Sequence, residues 1–383
     1  MKKPFYELAV FGEISPDTAK EVRDNIDTRL KELDLAKPGL VHVYIGTPIG
    51  FEPQTDRCGA ALCFPIKDEE QESVYKLMSR GFPVIPATAV KDDLGRLFSP
   101  RIGALNGVGL DVNGVDGAVI ALMECASLLP RQRRIFLSYR RAESTNAALQ
   151  LYAELSSRLY DVFLDTHDIL PGKHFQEVLW QRLCDCDVVL FLDTEKYFES
   201  RWTVAEFGKA MWRGISFVRA GWPGIVPNER AKLATSIQLE EKDFRARGKL
   251  LTASALARLC DEVEDARTRS VAVRYKQLIS NLNLSVQRGG GTIDGISMRR
   301  SLIVSMPSGK RVAVYPSLGV PTSNTLFDAT LDAHTPPTAV VYDEGGVEER
   351  EWKAHMDWIS EQVKGSVRLL KCYSAGLDLS DWN

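Results

Sequence analysis

The chain has 383 residues, a length that calls for two or three domains rather than one. Its 44% hydrophobic and 26% charged content fits a soluble globular protein and excludes a disordered or fibrous one. Net charge is −3, and only residues 131–250, with 19 basic and 16 acidic side chains, lean positive, which disfavours nucleic acid as the main ligand and suits a small anion.

No apolar run approaches the length of a membrane span. The start, Met1-Lys-Lys-Pro-Phe-Tyr-Glu7, is broken by Glu7 and Glu13 before any secretory apolar core can form. The expectation is a cytoplasmic protein without a membrane partner. The seven cysteines are scattered, which predicts reduced thiols. Cys184-Asp-Cys186 is their one close pair, and no second Cys or His pair stands at metal-site spacing, so no metal is expected.

Residues 1–130 read as an α/β unit. Leu8-Ala-Val-Phe11, Val41-His-Val-Tyr-Ile45 and Ala60-Ala-Leu-Cys-Phe64 are strands. Between the first two, residues 17–35 form a helix capped by Asp17, with Val22, Ile26, Leu30 and Leu33 at helical spacing. Residues 69–80 are helical, and Phe82-Pro-Val-Ile-Pro86 is extended. Residues 115–128 form an apolar helix that Pro130 closes. Arg131-Gln-Arg-Arg134 reads as a solvated linker.

Residues 131–285 are the next unit. Ile135 to Leu137, Val162 to Leu164 and Val188 to Leu192 are buried strands that end in polar residues. An open parallel sheet puts its ligands at such ends. A helix over residues 145–159 places Leu149, Tyr152, Leu155 and Leu159 on one face. Residues 168–175 form a loop that holds Pro171-Gly172 and Lys173, and residues 175–184 form a helix. Residues 199–212 are helical and carry Trp202 and Glu206, and Ile215 to Val218 is a strand. Two helices, over residues 251–263 and 271–282, finish the unit.

Gly289-Gly-Gly291 reads as a flexible joint. Beyond it, residues 292–383 form a third α/β unit. Leu302-Ile-Val-Ser-Met306 and Arg311-Val-Ala-Val-Tyr315 make a hairpin around Pro307-Ser-Gly-Lys310. Ala339-Val-Val-Tyr342 and Val367-Arg-Leu-Leu370 are strands around a helix over residues 348–363. The loop Ser317 to Asn324 runs from a strand into a helix. That geometry can present backbone N–H groups to a phosphate, or it is an ordinary turn.

Four pieces of the central segment, in order, resemble the TIR (Toll/interleukin-1 receptor) domain family. They are Phe136-Leu-Ser-Tyr-Arg-Arg141, Phe163-Leu-Asp-Thr166, the following Pro171-Gly172, and the Trp-x-x-x-Glu pair Trp202 and Glu206. The resemblance covers about a third of the chain. It implies a flavodoxin-like parallel sheet, flanked here by the two further α/β units. It also implies an NAD+ nucleosidase that cleaves the nicotinamide–ribose bond, with NAD+ as substrate and no cofactor. By the same resemblance Glu206 is catalytic, and Tyr139, Arg140, Arg141, Asp165 and Trp202 bind substrate. Pro171, Gly172 and Lys173 then form an assembly loop, and the protein is a homo-oligomer through its TIR domains. Relatives of bacterial type with extra domains serve as effectors in defence against phage. The flanking units would then receive an activating partner or a small anionic signal. Two alternatives stay open: a cyclase making cyclic ADP-ribose, and a non-catalytic TIR scaffold that recruits other TIR domains.

The chemistry of the pair agrees with the first reading. Residues four apart on a helix share a face. Nicotinamide leaves NAD+ as a neutral molecule, so one carboxylate beside the developing ribosyl cation is a sufficient catalytic set. The bland readings are a surface ion pair of Glu206 with Lys209 or Arg213, and a core role for Trp202. The first unit faintly echoes this region. Aligning Arg80-Gly81 with Arg213-Gly214 sets Ser73 opposite Glu206 and Glu69 opposite Trp202. Residues 1–130 are then a degenerate TIR-like copy, or the echo is the general likeness of strand–helix–strand units.

Overall fold

The first apolar run, β1 (Tyr6–Phe11), is a strand buried along its whole length. Its one charged residue, Glu7, is satisfied by the Gln54 N–H at 2.6 Å. The computed structural model in which these contacts are seen describes residues 3–164, 175–199, 210–211, 213–245, 250–296, 298–331, 337–345, 347 and 350–381. Helix α1 (Pro16–Glu32) follows, and its cap is Ser15 rather than Asp17. The Ser15 hydroxyl accepts from Thr18 N, and Pro16 takes the first helical position, where no N–H is needed. Val22, Ile26, Leu30 and Leu33 are buried as their spacing requires.

The chain continues through β2 (Val41–Gly46), β3 (Cys58–Cys63), α2 (Gln71–Ser79), β4 (Val84–Thr88), β5 (Val108–Gly109) and α3 (Leu110–Cys125). The five strands are parallel, in the order β2-β1-β3-β4-β5. Among the described residues, the stretch Leu110–Gln132 is long and apolar enough to cross a membrane by length and composition. Most of its apolar window is nevertheless buried in the protein, where α3 packs on α1 and the sheet.

The central strands are β6 (Arg134–Ser138), β7 (Asp161–Leu164), β8 (Val188–Asp193), β9 (Ser216–Gly221) and β10 (Thr235–Gln238). Helix α4 (Arg141–Ser157) follows β6, and α5 (Phe175–Asp185) precedes β8. All five strands pair in parallel, in the order β7-β6-β8-β9-β10. Alternation along each strand builds two cores. Ile135, Leu137, Leu190 and Val218 face α4, and Phe136, Val189, Phe191 and Phe217 face the other side. The buried stripe of α4 is Ala147, Ala148, Leu151 and Leu155, whereas Leu149, Tyr152 and Leu159, expected to share a face with Leu155, are exposed. The hairpin β11 (Phe244–Arg245) and β12 (Leu250–Leu251) leads into α6 (Ala253–Arg288). The two helices expected over residues 251–282 are thus one, because nothing between Val263 and Val271 breaks a helix.

The remaining elements are β13 (Thr292–Ile296), β14 (Leu302–Ser305), β15 (Arg311–Ser317), α7 (Ser323–Thr330), β16 (Thr338–Tyr342), α8 (Arg350–Val363), β17 (Val367–Lys371) and α9 (Ala375–Ser380). They form a mixed sheet in sequential order. β13, β14 and β15 are antiparallel, and β15, β16 and β17 are parallel.

The chain divides into two compact units. One holds Met1–Leu129, Tyr275–Glu344 and Arg350–Asn383, and the other holds Pro130–Arg274 with Gly345–Glu349. In the first, Phe11, Val74, Leu77 and Met78 share one core with Ile303, Tyr315, Leu326 and Met356. The opposite face of the last sheet, with Val304, Val314 and Val341, packs on Leu278, Leu282 and Val286 of α6. Gly289 to Gly291, expected as a flexible joint, is packed inside this unit. A Cβ on Gly289 would lie 2.4 Å from Gly376 O, and one on Gly291 2.7 Å from Met306 Sδ. These glycines permit close contact rather than movement.

Candidate active site at the switch point of the central sheet

In the central sheet the direction of strand addition reverses between β6 and β8. An open parallel sheet forms its ligand crevice there, outside the carboxyl ends of those two strands. Strand β6 ends at Ser138, followed by Tyr139, Arg140 and the first turn of α4. Strand β8 ends at Asp193, followed by Thr194 and a tight turn through Tyr197 to Glu199.

Tyr197 fixes that turn. Its ring is fully buried, stacked on Phe191 at 5.4 Å, and its hydroxyl bonds the Ser138 hydroxyl at 2.8 Å. Arg140 spans the two edges above this rivet. Its Nη1 donates to Lys196 O and to Glu199 Oε2, the latter at 3.2 Å, and its Nε is 3.9 Å from Glu143 Oε1. Glu143 also accepts from Lys196 N at 3.3 Å. Arg141 is exposed at the start of α4. Tyr139 is 3% exposed and packs in the core with Ala147 and Leu151.

Two site residues escape a reading by strands alone. Arg219, in the middle of β9, is fully buried. Its Nε pairs with Asp193, its Nη1 reaches Ser236 Oγ and Gln238 Oε1 at 3.0 Å each, and its Nη2 reaches Ile225 O at 3.0 Å. One guanidinium thus ties the ends of β8, β9 and β10 to the loop after β9. Burial pushes the Asp193 carboxyl above its ordinary range, against the pull of Arg219. The available signal is a charged residue closing one apolar run, Val188-Val-Leu-Phe-Leu-Asp193, and one inside another, Phe217-Val-Arg219-Ala220.

The opposite edge of the sheet is also ionic and buried. Arg133, expected as a solvated linker residue, is fully buried and donates to both oxygens of Glu264, at 3.0 and 2.8 Å. Its guanidinium lies over the Tyr160 ring at 4.2 Å, and the Tyr160 hydroxyl reaches Glu264 at 2.7 Å. Arg267 bonds Asp187 at 2.9 Å, and Arg274 bonds Cys186 O at 2.7 Å. These contacts fasten residues 264–274 of α6 to the amino ends of the strands, away from the crevice.

The expectations for Asp165, Pro171, Gly172, Lys173, Trp202 and Glu206 lie outside the described residues. Among the described residues, no group of His, Cys, Asp and Glu is placed to hold a metal.

Residues 135–251 match the family model of the TIR domain. The central unit carries a TIR domain. No curated protein matches the chain. The match begins within β6 and ends at β12, so it takes in the whole parallel sheet and the crevice.

The first sheet has the strand order of the TIR sheet, yet its switch point is closed. Gly12, at the end of β1, has φ +90°, and a Cβ there would lie 2.4 Å from Phe64 O. Glu13 N bonds Pro65 O at 2.8 Å. Backbone therefore lies against backbone where the TIR domain has its crevice. The loop Ser317 to Asn324 is likewise occupied by its own contacts. Thr322 caps α7 by accepting from Thr325 N, and Trp352 Nε1 donates to Pro321 O at 2.6 Å. At the end of the adjacent β16, burial and then the charges of Glu344 and Asp357 hold the Tyr342 hydroxyl above its ordinary range, so the field there is negative.

Proposed function

We propose that the TIR domain hydrolyses NAD+ at the nicotinamide–ribose bond. The observation that carries this reading is the switch-point crevice of a TIR sheet with Arg140 and Arg141 on its rim, where a diphosphate needs cationic partners. Glu206, four residues after Trp202, supplies the carboxylate. Its role is to stabilise the developing oxocarbenium ion and bind the ribose hydroxyls while nicotinamide leaves as a neutral base. Water then adds at the anomeric carbon and loses a proton. The products are ADP-ribose, nicotinamide and H+. No general acid is required, because the cationic nitrogen takes the bonding electron pair and becomes neutral.

The reading extends to regulation. The TIR domains assemble into a homo-oligomer through the loop Pro171, Gly172 and Lys173, and the protein acts as an NAD+-depleting effector against phage. Purified full-length protein, incubated with NAD+ over a wide range of protein concentration, tests this. The expected result is nicotinamide release, with activity per molecule rising with concentration. Cyclic ADP-ribose among the products would assign the cyclase instead. No release at any concentration, from a folded protein that captures other TIR domains, would assign the scaffold.

A further inference from the structure

We infer, resting on the reading that the crevice takes an anionic dinucleotide, that Glu143 and Glu199 set its affinity by competing with the ligand for Arg140. The guanidinium of Arg140 is engaged on one side by Glu199 at 3.2 Å and Lys196 O, and approached on the other by Glu143 at 3.9 Å. A diphosphate bound bidentately needs that same fork. Arginine cannot lose its charge, so one anion must replace another.

The geometry favours exchange over rearrangement. The Glu199 side chain is 59% exposed, so on release it returns to water at little cost. The turn that carries it has anchors besides the ion pair. Tyr197 holds the turn through its buried ring and the Ser138 hydroxyl, and Trp222 N holds Asp193 O at 3.0 Å. Without ligand, the two carboxylates neutralise a cation that would otherwise bind any cellular phosphate. Glu143 and Glu199 thus act as specificity-determining residues. A weak anion does not displace them, whereas a dinucleotide with further contacts does.

The test is equilibrium binding to the full chain by calorimetry, with ADP-ribose, inorganic pyrophosphate and uncharged nicotinamide as probes. Glu199→Gln keeps the shape of the side chain and removes its charge. The proposal predicts that Glu199→Gln tightens both anionic probes about fivefold, the scale of a partly exposed ion pair. Glu143→Gln/Glu199→Gln should tighten them further, and nicotinamide should not respond. With Arg140→Gln in the background, the gain should vanish. An unchanged affinity in Glu199→Gln would overturn the proposal. So would a gain that persists without Arg140, or no measurable anion binding by the double variant at millimolar probe. Thermal unfolding of each variant separates a folding defect from a binding effect. The hydrolase reading is scored separately by nicotinamide release, so either can fail alone.

Discussion

Arg133 is a fully buried cation held by both oxygens of Glu264. Four residues with three arginines before a strand look solvated, and nothing local announces that Glu264, 131 positions away, will pair with one of them. Asp193 and Arg219 give a weak signal, as charges at the end of one apolar run and inside another, but their pairing is also long-range. Such contacts are legible only once the strands are placed side by side. They also carry energy. Removing one partner of a buried, hydrogen-bonded pair leaves the other charge stranded, so Arg133→Met should cost about 3–5 kcal/mol in chemical denaturation. Arg133→Met with Glu264→Leu should cost less than the sum of the single changes, because no stranded charge remains. The thiols give a prediction in pH. Burial raises Cys63, Cys125, Cys260 and Cys372 from 9.0 to about 12. In the unfolded chain they ionise near the lower value, so their contribution to stability is full below about pH 9 and is lost as pH rises toward about 12. Replacing Cys63 and Cys125 by Ala should flatten that alkaline loss in unfolding curves measured between pH 8 and 11. A loss as steep as in the parent chain would assign it to other groups.

At the scale of elements, periodicity located the buried strands. Runs such as Val188 to Asp193 cannot be solvated, and a strand buried on both faces is their simplest home. It missed β10 and β13, which are short and only partly buried, so their sequences Thr235-Ser-Ile-Gln238 and Thr292-Ile-Asp-Gly-Ile296 carry little pattern. It also misread Gly289 to Gly291, since a glycine that permits flexibility and one that permits contact are identical in sequence. A substitution separates the two. Gly289→Ala drives a methyl toward Gly376 O, and should lower stability by about 1–3 kcal/mol, as overpacking does. In a free linker the same change would be neutral or slightly stabilising. A melting temperature equal to or above that of the parent would restore the joint.

At the scale of the molecule, the sequence suggests a boundary at residue 130; the first segment of a compact unit runs to Leu129, and the same unit resumes at Tyr275. It gives no sign that residues beyond the TIR domain return to complete the first unit, because the shared core is built from residues about 200–360 positions apart. A chain ending at residue 288 would therefore lose Ile303, Tyr315, Leu326 and Met356 from the core around Phe11 and Met78. Such a truncation should give insoluble or protease-sensitive residues 1–129. A soluble, cooperatively melting product would show that the first sheet stands alone. The residues on either side of the TIR domain thus form one compact unit rather than two. The central claim, that the crevice hydrolyses NAD+, rests on Glu206. Nicotinamide release by the full chain and by Glu206→Gln, at matched concentration and equal melting temperature, tests it most directly. The account predicts release by the parent and a loss of at least about a hundredfold in the variant. A variant that keeps most of the parent rate, or a folded parent that releases no nicotinamide at any concentration, would contradict it.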